Sequence, residues 1–155
     1  MRIDQFLKLE GIIPNLLVSS KEEAVRELIR AMAELGYLCD EDQAESDIAS
    51  REQKLTTGIG RGIAVPHARS NATDRLRVVF GRHKKGIDWG ALDGAPVHFV
   101  VLMVSPPDAP GPHLQFLAEM VRLLNDEDIQ ERLLNASTAR GIHRILTLKK
   151  SVRHR

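Results

Sequence analysis

The chain contains 155 residues, the size of a single domain that buries one hydrophobic core. Its 22 basic and 21 acidic side chains nearly cancel, so the overall charge does not favour nucleic acid or an anionic membrane surface as the main partner. With 43% apolar and 28% charged residues, the composition is that of a globular protein and excludes a disordered or collagen-like chain.

Capping signals and apolar spacing predict two helices in the first third of the chain. Ser20 is followed three residues later by Glu23, which is the pattern of a capping box, and apolar residues then recur at helical spacing. This pattern predicts a helix over about 21–35. Asp40 begins a second helix over about 41–53, whose apolar face is thin.

The middle of the chain contains the predicted strands. Leu76–Phe80 alternates apolar and polar residues, as a half-buried strand does, whereas Val97–Val104 is apolar on both faces and predicts a central strand. Ile63–Val65 is a shorter strand candidate. The four prolines within Ser105–Pro112 predict a loop.

Three further helices are predicted near the C-terminus, over about 113–124, 127–135 and 138–147, from their apolar spacing. Strands and helices are therefore mixed along one chain. This mixture predicts an α/β fold in which a mixed β-sheet is sandwiched between helices on both faces.

The two ends of the chain and its one cysteine bear on location. The N-terminus lacks an uninterrupted apolar run, so no secretory signal is predicted, and no apolar stretch is long enough to span a bilayer. Cys39 has no second thiol for a disulfide or a zinc site. We expect a cytoplasmic protein without membrane insertion. Residues 149–155 carry four cations and no acid, so we predict a domain over 1–148 and a basic C-terminal tail.

The most unusual segment is Thr56–His67, which contains three glycines at alternate positions and ends on Pro66 and His67. Glycine lets backbone N–H groups approach a ligand closely, so this segment can form an anion cradle. Its spacing fits neither a dinucleotide-binding fingerprint nor a Walker A motif. On these residues alone, a tight turn joining a helix to a strand is the more frequent alternative.

Histidine chemistry is the remaining catalytic option, because no HExxH motif, GxSxG motif or close cluster of metal ligands is present. The imidazole of His67 is substantially neutral yet protonatable near pH 7, so it can take and release a phosphoryl group or a proton. His113 begins a predicted helix, where free N–H groups and the helix dipole favour an anion. The alternatives are a hydrogen-bonded turn histidine and a plain helix cap.

The other candidates have simpler interpretations. His98 is expected to be a hydrogen-bonded core residue of the central strand, and His83 to lie at the solvated end of a hairpin. Arg61 and Arg69 flank the His67 segment. Each arginine is equally expected to meet phosphate or an acidic partner, or to be solvated.

These motifs carry a resemblance to a known family. The chain resembles the fructose/mannitol-type (type-2) enzyme IIA domain of the bacterial phosphoenolpyruvate-dependent phosphotransferase system, over about residues 12–147. The matching motifs, in chain order, are Arg51-Glu52, Thr57–Gly60, Gly62–His67, Asp93-Gly94 and His113-Leu114.

The resemblance implies a function and a site. It implies that His67 accepts a phosphoryl group from a histidine-containing phosphocarrier protein and passes it to a IIB domain or a regulated target. It also implies that His113 lies beside His67, that Arg51 lines the same site, and that no cofactor or metal is needed. A nucleophile, a second imidazole and a cation are what phosphoryl transfer requires, because charge spreads over the phosphoryl oxygens.

Several alternatives stay open. The absence of attached IIB, IIC or phosphocarrier segments resembles the stand-alone, nitrogen-regulatory branch, although sugar-specific IIA components can also be separate. A transfer-inactive interaction module of the same fold is expected to lack His67, His113 or Arg51, and all three are present. The basic tail predicts only weak nucleic-acid binding, and we expect a monomer or weak homodimer.

Overall fold

The structure is a computed structural model that describes residues 2–108 and 110–148. The predicted basic tail, residues 149–155, lies outside the described residues. None of the helices in the described ranges is both long and apolar enough to cross a membrane.

The two N-terminal helices begin at the side chains that predict them. Helix α1 spans Lys21–Glu34, and the backbone N–H of Glu23 donates to the hydroxyl of Ser20 at 3.1 Å. Helix α2 spans Glu41–Lys54, and the carboxylate of Asp40 accepts from a backbone N–H of its first turn at 3.0 Å. Local capping is sufficient to fix both starts, and both predicted helices are confirmed.

The C-terminal helices are α3 (Pro110–Leu124), α4 (Glu127–Asn135) and α5 (Ala139–Thr147). The predictions for α4 and α5 are confirmed. Helix α3 begins three residues earlier than predicted, inside the proline-rich segment that we expected to be a loop. Proline is compatible with the first turn of a helix, because the N–H that it lacks has no partner within the helix there.

A mixed sheet of six strands forms the centre of the described residues. The strands are β1 (Ile12–Ile13), β2 (Gly58–Gly60), β3 (Ile63–Ala64), β4 (His67–Arg69), β5 (Arg77–Ile87) and β6 (Val97–Ser105). Their order in the sheet is β1-β5-β6-β3-β2, and β4 also pairs with β6. Strand β6 is antiparallel to β5 and parallel to both β3 and β4. This arrangement confirms the predicted central strand.

Helices cover both faces of this sheet, as predicted. Alternate residues of β6 point to opposite sides, since the side chains of a strand have a period of two. Phe99 and Met103 pack with α3, α4 and α5, whereas Val100 and Leu102 pack with α1 and α2. The molecule therefore has two hydrophobic layers separated by one sheet.

Strand β5 is longer than predicted, because it continues through charged residues to Ile87. Arg82 is buried within it, and its guanidinium donates to the backbone carbonyls of Pro14 at 3.0 Å and Leu133 at 2.7 Å. Because these carbonyls accept hydrogen bonds from the buried guanidinium, the strand can continue through Arg82, where the sequence pattern predicts its end.

Candidate functional site

A cleft of about 410 Å³ opens where the C-terminal end of α2 meets the first turn of α3. His67, His113 and Arg51 all line this cleft, although they come from three separate parts of the sequence. A larger groove of about 690 Å³ runs along α1, but no histidine or cysteine lines it. The full lining of the cleft is Asp47, Ser50, Arg51, Lys54, His67, Ala68, Arg69, His113, Leu114 and Leu117.

Backbone pairing fixes the position of His67. It is the first residue of β4 and lies opposite Met103 of β6, and the N–H of Met103 donates to the carbonyl of Pro66 at 3.0 Å. On the other side, the N–H of Val65 donates to the carbonyl of Thr57 at 2.9 Å. The histidine is therefore held near the carboxyl end of the central strand, the usual place for ligands in open α/β sheets.

The side chain of His67 is held in one tautomer. Its Nδ1 lies 2.6 Å from the carbonyl oxygen of Val65, within hydrogen-bond distance. A carbonyl oxygen can only accept a hydrogen bond, so Nδ1 carries the proton and donates it. The other ring nitrogen, Nε2, therefore carries the lone pair.

The surroundings of His67 favour the neutral ring. Burial lowers the pKa of His67 below its ordinary value of 6.5, and the cations of Arg51 and Arg69 lower it further. The hydrogen bond to Val65 and the Glu52 carboxylate oppose this shift without overcoming it. A neutral imidazole with a free lone pair on Nε2 is a nucleophile near pH 7.

His113 lies beside His67, in the first turn of α3. The two rings meet edge to face, with 5.2 Å between their centroids and 70° between their planes. His113 is only 3% exposed, and its Nδ1 lies 2.5 Å from the hydroxyl oxygen of Ser105. Burial, together with the charges of His67 and Arg69, lowers the pKa of His113 to about 4. His113 is therefore also neutral near pH 7.

Cationic side chains outnumber acidic ones around the cleft. Arg51, Lys54 and Arg69 line it together with one carboxylate, that of Asp47. Arg51 is held in the last turn of α2, where its Nη1 donates to the carbonyl of Leu55 at 2.9 Å. A cleft with this charge balance favours an anionic ligand such as a phosphoryl group.

Glu52 stabilises the backbone that precedes His67, a role that sequence reasoning missed. Its carboxylate accepts from the backbone N–H of Thr57 at 3.0 Å, from the Thr57 hydroxyl, and from Lys21 Nζ at 3.3 Å. Burial alone raises the pKa of Glu52, but these hydrogen bonds and the Lys21 charge outweigh burial and lower it. The charged carboxylate thus anchors Thr57, whose carbonyl in turn holds Val65.

The part of the glycine-rich segment that contains Gly58, Gly60 and Gly62 does not line this cleft, although His67 at its end does. It is a hairpin of β2 and β3, and the anion against its tight turn is the carboxylate of Asp93, which accepts from the N–H of Arg61 at 2.9 Å. Gly60 has φ of +101°, and a Cβ there would lie 3.2 Å from Asp93 Oδ2. The predicted cradle therefore holds a side chain of the protein itself. Arg61 points elsewhere, donating to the carbonyl of Asn125 at 3.0 Å, whereas Arg69 lines the cleft.

Two other histidines have structural roles. His98 is half-buried on β6, and its Nδ1 lies 2.9 Å from the carbonyl oxygen of His83, as expected of a hydrogen-bonded histidine. The prediction for His83 is wrong, because its ring is half-buried between the carbonyl of Val18 at 2.8 Å and the N–H of Gly86 at 3.0 Å. A tertiary contact with the segment before α1 removes it from solvent.

The lowered pKa of His113 predicts how stability depends on pH. An unfolded chain binds a proton on His113 below about pH 6.5, whereas the folded protein does so only near pH 4. The unfolded state thus gains protons first, and the free energy of unfolding falls as the pH decreases. The free energy of unfolding, measured by urea denaturation, should fall between pH 7 and pH 4.5 in both proteins. We expect this fall to be about 2–3 kcal/mol smaller in His113→Gln than in the parent. Equal losses would show that His113 titrates normally in the folded protein.

The chain is similar to known proteins over nearly its whole length. The sequence model of the EIIA 2 family of the phosphoenolpyruvate-dependent sugar phosphotransferase system matches residues 5–149. The nitrogen regulatory protein of Bradyrhizobium diazoefficiens is 35% identical over 149 residues, which cover 96% of each chain. The fructose-specific EIIABC component of Bacillus subtilis is 34% identical over 142 residues, which cover 92% of this chain but 22% of that protein.

A solved structure shows the same fold. The crystal structure of the nitrogen regulatory protein IIA-Ntr from Neisseria meningitidis superposes with a TM-score of 0.86 at 28% identity, covering 94% of this chain and 99% of that one. The family match spans nearly the whole sequence, and the fold agrees with it. The chain therefore belongs to the type-2 EIIA family of the phosphoenolpyruvate-dependent sugar phosphotransferase system.

Proposed function

We propose that this protein accepts a phosphoryl group on Nε2 of His67 from a histidine-containing phosphocarrier protein and passes it to a second protein. The observation that carries the proposal is the hydrogen bond from His67 Nδ1 to the carbonyl of Val65, which leaves the lone pair on Nε2. In the transfer, this lone pair forms a bond to phosphorus, and the bond from phosphorus to the carrier's nitrogen breaks with its electron pair remaining on the carrier.

Two neighbours of His67 have separate roles in the proposal. The guanidinium of Arg51 balances the charge that spreads over the phosphoryl oxygens as the group moves. His113 donates a hydrogen bond to one of these oxygens from the first turn of α3, where the helix dipole also favours an anion. Neither residue carries the phosphoryl group covalently.

We favour a regulatory, nitrogen-type role, in which targets respond to the phosphorylation state. The nitrogen regulatory relative supports it, because that protein is 35% identical to this chain over 149 residues. The alternative is a sugar-specific component that delivers the group to a IIB domain, and the fructose EIIABC relative supports this second role. We assign the activity to residues 1–148.

A cytoplasmic location fits this proposal. Cys39 is an exposed free thiol, and exposed thiols persist in reducing compartments. The proposed donor, a phosphocarrier of the same system, must meet the protein in the same compartment.

The test is incubation of the purified protein with phosphoenolpyruvate, enzyme I and a phosphocarrier, in parallel for a nitrogen-type and a sugar-type carrier. We expect one phosphate per chain that is labile in acid and stable in base, because acid protonates the phosphoramidate nitrogen. Faster labelling by the nitrogen-type carrier supports the regulatory role, and faster labelling by the sugar-type carrier supports the alternative. No labelling by either carrier would indicate a transfer-inactive interaction module.

Loss of Arg51 should slow the transfer. The remaining N–H groups of its guanidinium are available to the phosphoryl oxygens, since among the described residues only Nη1 has a hydrogen-bond partner, the carbonyl of Leu55. We expect Arg51→Ala to raise the barrier by ~1.5–3 kcal/mol, the contribution of a charge-assisted hydrogen bond, measured as the single-turnover rate of His67 phosphorylation.

Arg51→Lys is the matched control, because it keeps the charge but not the planar set of donors. We expect the rate of Arg51→Lys to lie between those of the parent and Arg51→Ala. Thermal unfolding of both variants checks that the fold survives loss of the bond to Leu55. If Arg51→Ala transfers at the parental rate, Arg51 only caps the end of α2.

A further inference from the structure

Ser105 contacts His113, one of the residues that line the cleft. It is the last residue of β6, is fully buried, and pairs with Arg69 of β4. Its hydroxyl oxygen lies 2.5 Å from His113 Nδ1. This side chain has no role in the proposed transfer described above.

The direction of this hydrogen bond follows from what each group can satisfy. A hydroxyl can donate or accept, and a neutral imidazole has one nitrogen of each kind. If His113 Nδ1 donated, the hydroxyl proton of Ser105 would need a second acceptor. The hydrogen bonds found among the described residues give the Ser105 hydroxyl no partner other than His113, and its burial leaves no access for bulk water. If Ser105 donates, both groups are satisfied.

We propose that Ser105 is a positioning residue, which donates its hydroxyl proton to His113 Nδ1 and thereby holds His113 as the Nε2–H tautomer. This inference rests on the proposed function for its catalytic consequence, but the tautomer itself does not depend on it. The two rings of the cleft then have opposite tautomers. His67 presents a bare Nε2 that attacks phosphorus, and His113 presents an Nε2–H that donates to the phosphoryl oxygens.

The opposite tautomer would work against transfer. If the proton were on Nδ1, the Nε2 lone pair of His113 would face the phosphoryl group. This lone pair and the phosphoryl oxygens are both electron-rich, so they would repel each other. The lowered pKa of His113 makes this choice matter, since a neutral ring has only one proton to place. The hydrogen bond from Ser105 to Nδ1 keeps that proton on Nε2.

The experiment combines nuclear magnetic resonance with transfer kinetics on the whole protein. Long-range ¹H–¹⁵N correlation spectra distinguish a protonated ring nitrogen from one with a lone pair, so they report the tautomers of His67 and His113 without any phosphorylation. The variants are Ser105→Ala, which removes the donor, and Ser105→Cys, which keeps a weaker one. Ser70→Ala is the matched control, because Ser70 is also buried but its hydroxyl accepts from the backbone N–H of Ala72.

We expect His113 to be the Nε2–H tautomer in the parent, and Ser105→Ala to give a mixture of tautomers. We also expect Ser105→Ala to slow phosphorylation of His67 roughly tenfold, which is the loss of about one hydrogen bond, with Ser105→Cys recovering part of this loss and Ser70→Ala losing none. An Nδ1–H tautomer in the parent, or an unchanged tautomer in Ser105→Ala, would overturn the inference even if His67 is phosphorylated. Absence of labelling in the parent would overturn the proposed function and leave the tautomer result standing.

Discussion

His67→Ala should accept no phosphate when it is incubated with phosphoenolpyruvate, enzyme I and the matching phosphocarrier. Alanine has no nitrogen to form the bond to phosphorus. His113, the other histidine of the cleft, has a proton rather than a lone pair on Nε2 in the proposed tautomer, because its Nδ1 accepts from Ser105. The measurement is the mass of the intact protein before and after incubation, in which the parent gains one phosphate and the variant gains none.

A matched control separates the loss of the nucleophile from general damage. His143 of α5 is half-buried like His67, and its Nε2 lies 2.9 Å from the carbonyl oxygen of Leu7 in the N-terminal segment, away from the cleft. His143→Ala should therefore be labelled as the parent is. Undiminished labelling of His67→Ala would move the phosphorylation site to another residue and contradict the central assignment.

The parts of the fold that the sequence predicts are those that local signals determine. The starts of α1 and α2 follow from Ser20 and Asp40, since a capping side chain acts within its own turn. Strand β6 follows from a run of apolar residues that only a central position can bury. These elements need no information about the rest of the chain.

The parts that the sequence does not predict depend on distant contacts. Strands β1, β2 and β4 have only two or three residues each, too few for a periodic pattern, and they exist because β5, β3 and β6 pair with them. The continuation of β5 through Arg82 depends on carbonyls more than 50 residues away in each direction.

The residues of the site also fall into a group that the sequence predicts and a group that it does not. Histidine chemistry and the family resemblance lead to His67, His113 and Arg51, and the structure brings the three together. The supporting residues are different, because a serine at the end of a strand and a glutamate near the end of a helix have many ordinary roles. Only the tertiary fold shows Ser105 against His113 and Glu52 against Thr57.

The second large effect concerns His113→Gln, which should separate acceptance of the phosphoryl group from its onward transfer. Glutamine has an amide N–H₂ that can replace the hydrogen bond from His113 to a phosphoryl oxygen. We expect His67 of this variant to be phosphorylated, within about tenfold of the parental rate, because the nucleophile and Arg51 remain in place.

The rate of onward transfer should fall more than the rate of acceptance, because glutamine cannot bind and release a proton. A phosphoryl group on His67 brings negative charge close to the His113 ring, whose centroid lies 5.2 Å from that of His67. This charge favours the protonated ring, in which Nδ1 donates to the Ser105 hydroxyl instead of accepting from it. As the group leaves, the ring can release that proton again, whereas an amide stays neutral throughout. Loss of such proton transfer lowers rates by about 10²–10⁴-fold, so we expect onward transfer to slow by at least about a hundredfold.

Two measurements decide this division of roles: peptide mass mapping of the phosphorylated variants, and transfer from the phosphorylated protein to its acceptor. His67→Gln is the comparison, since it presents the same amide in the other position of the cleft and should accept nothing. Phosphate found on His113, or normal onward transfer from His113→Gln, would show that the two histidines do not act as proposed. A defect in onward transfer alone, with the phosphate mapped to His67, would assign covalent catalysis to His67 and proton transfer to the ring that Ser105 positions.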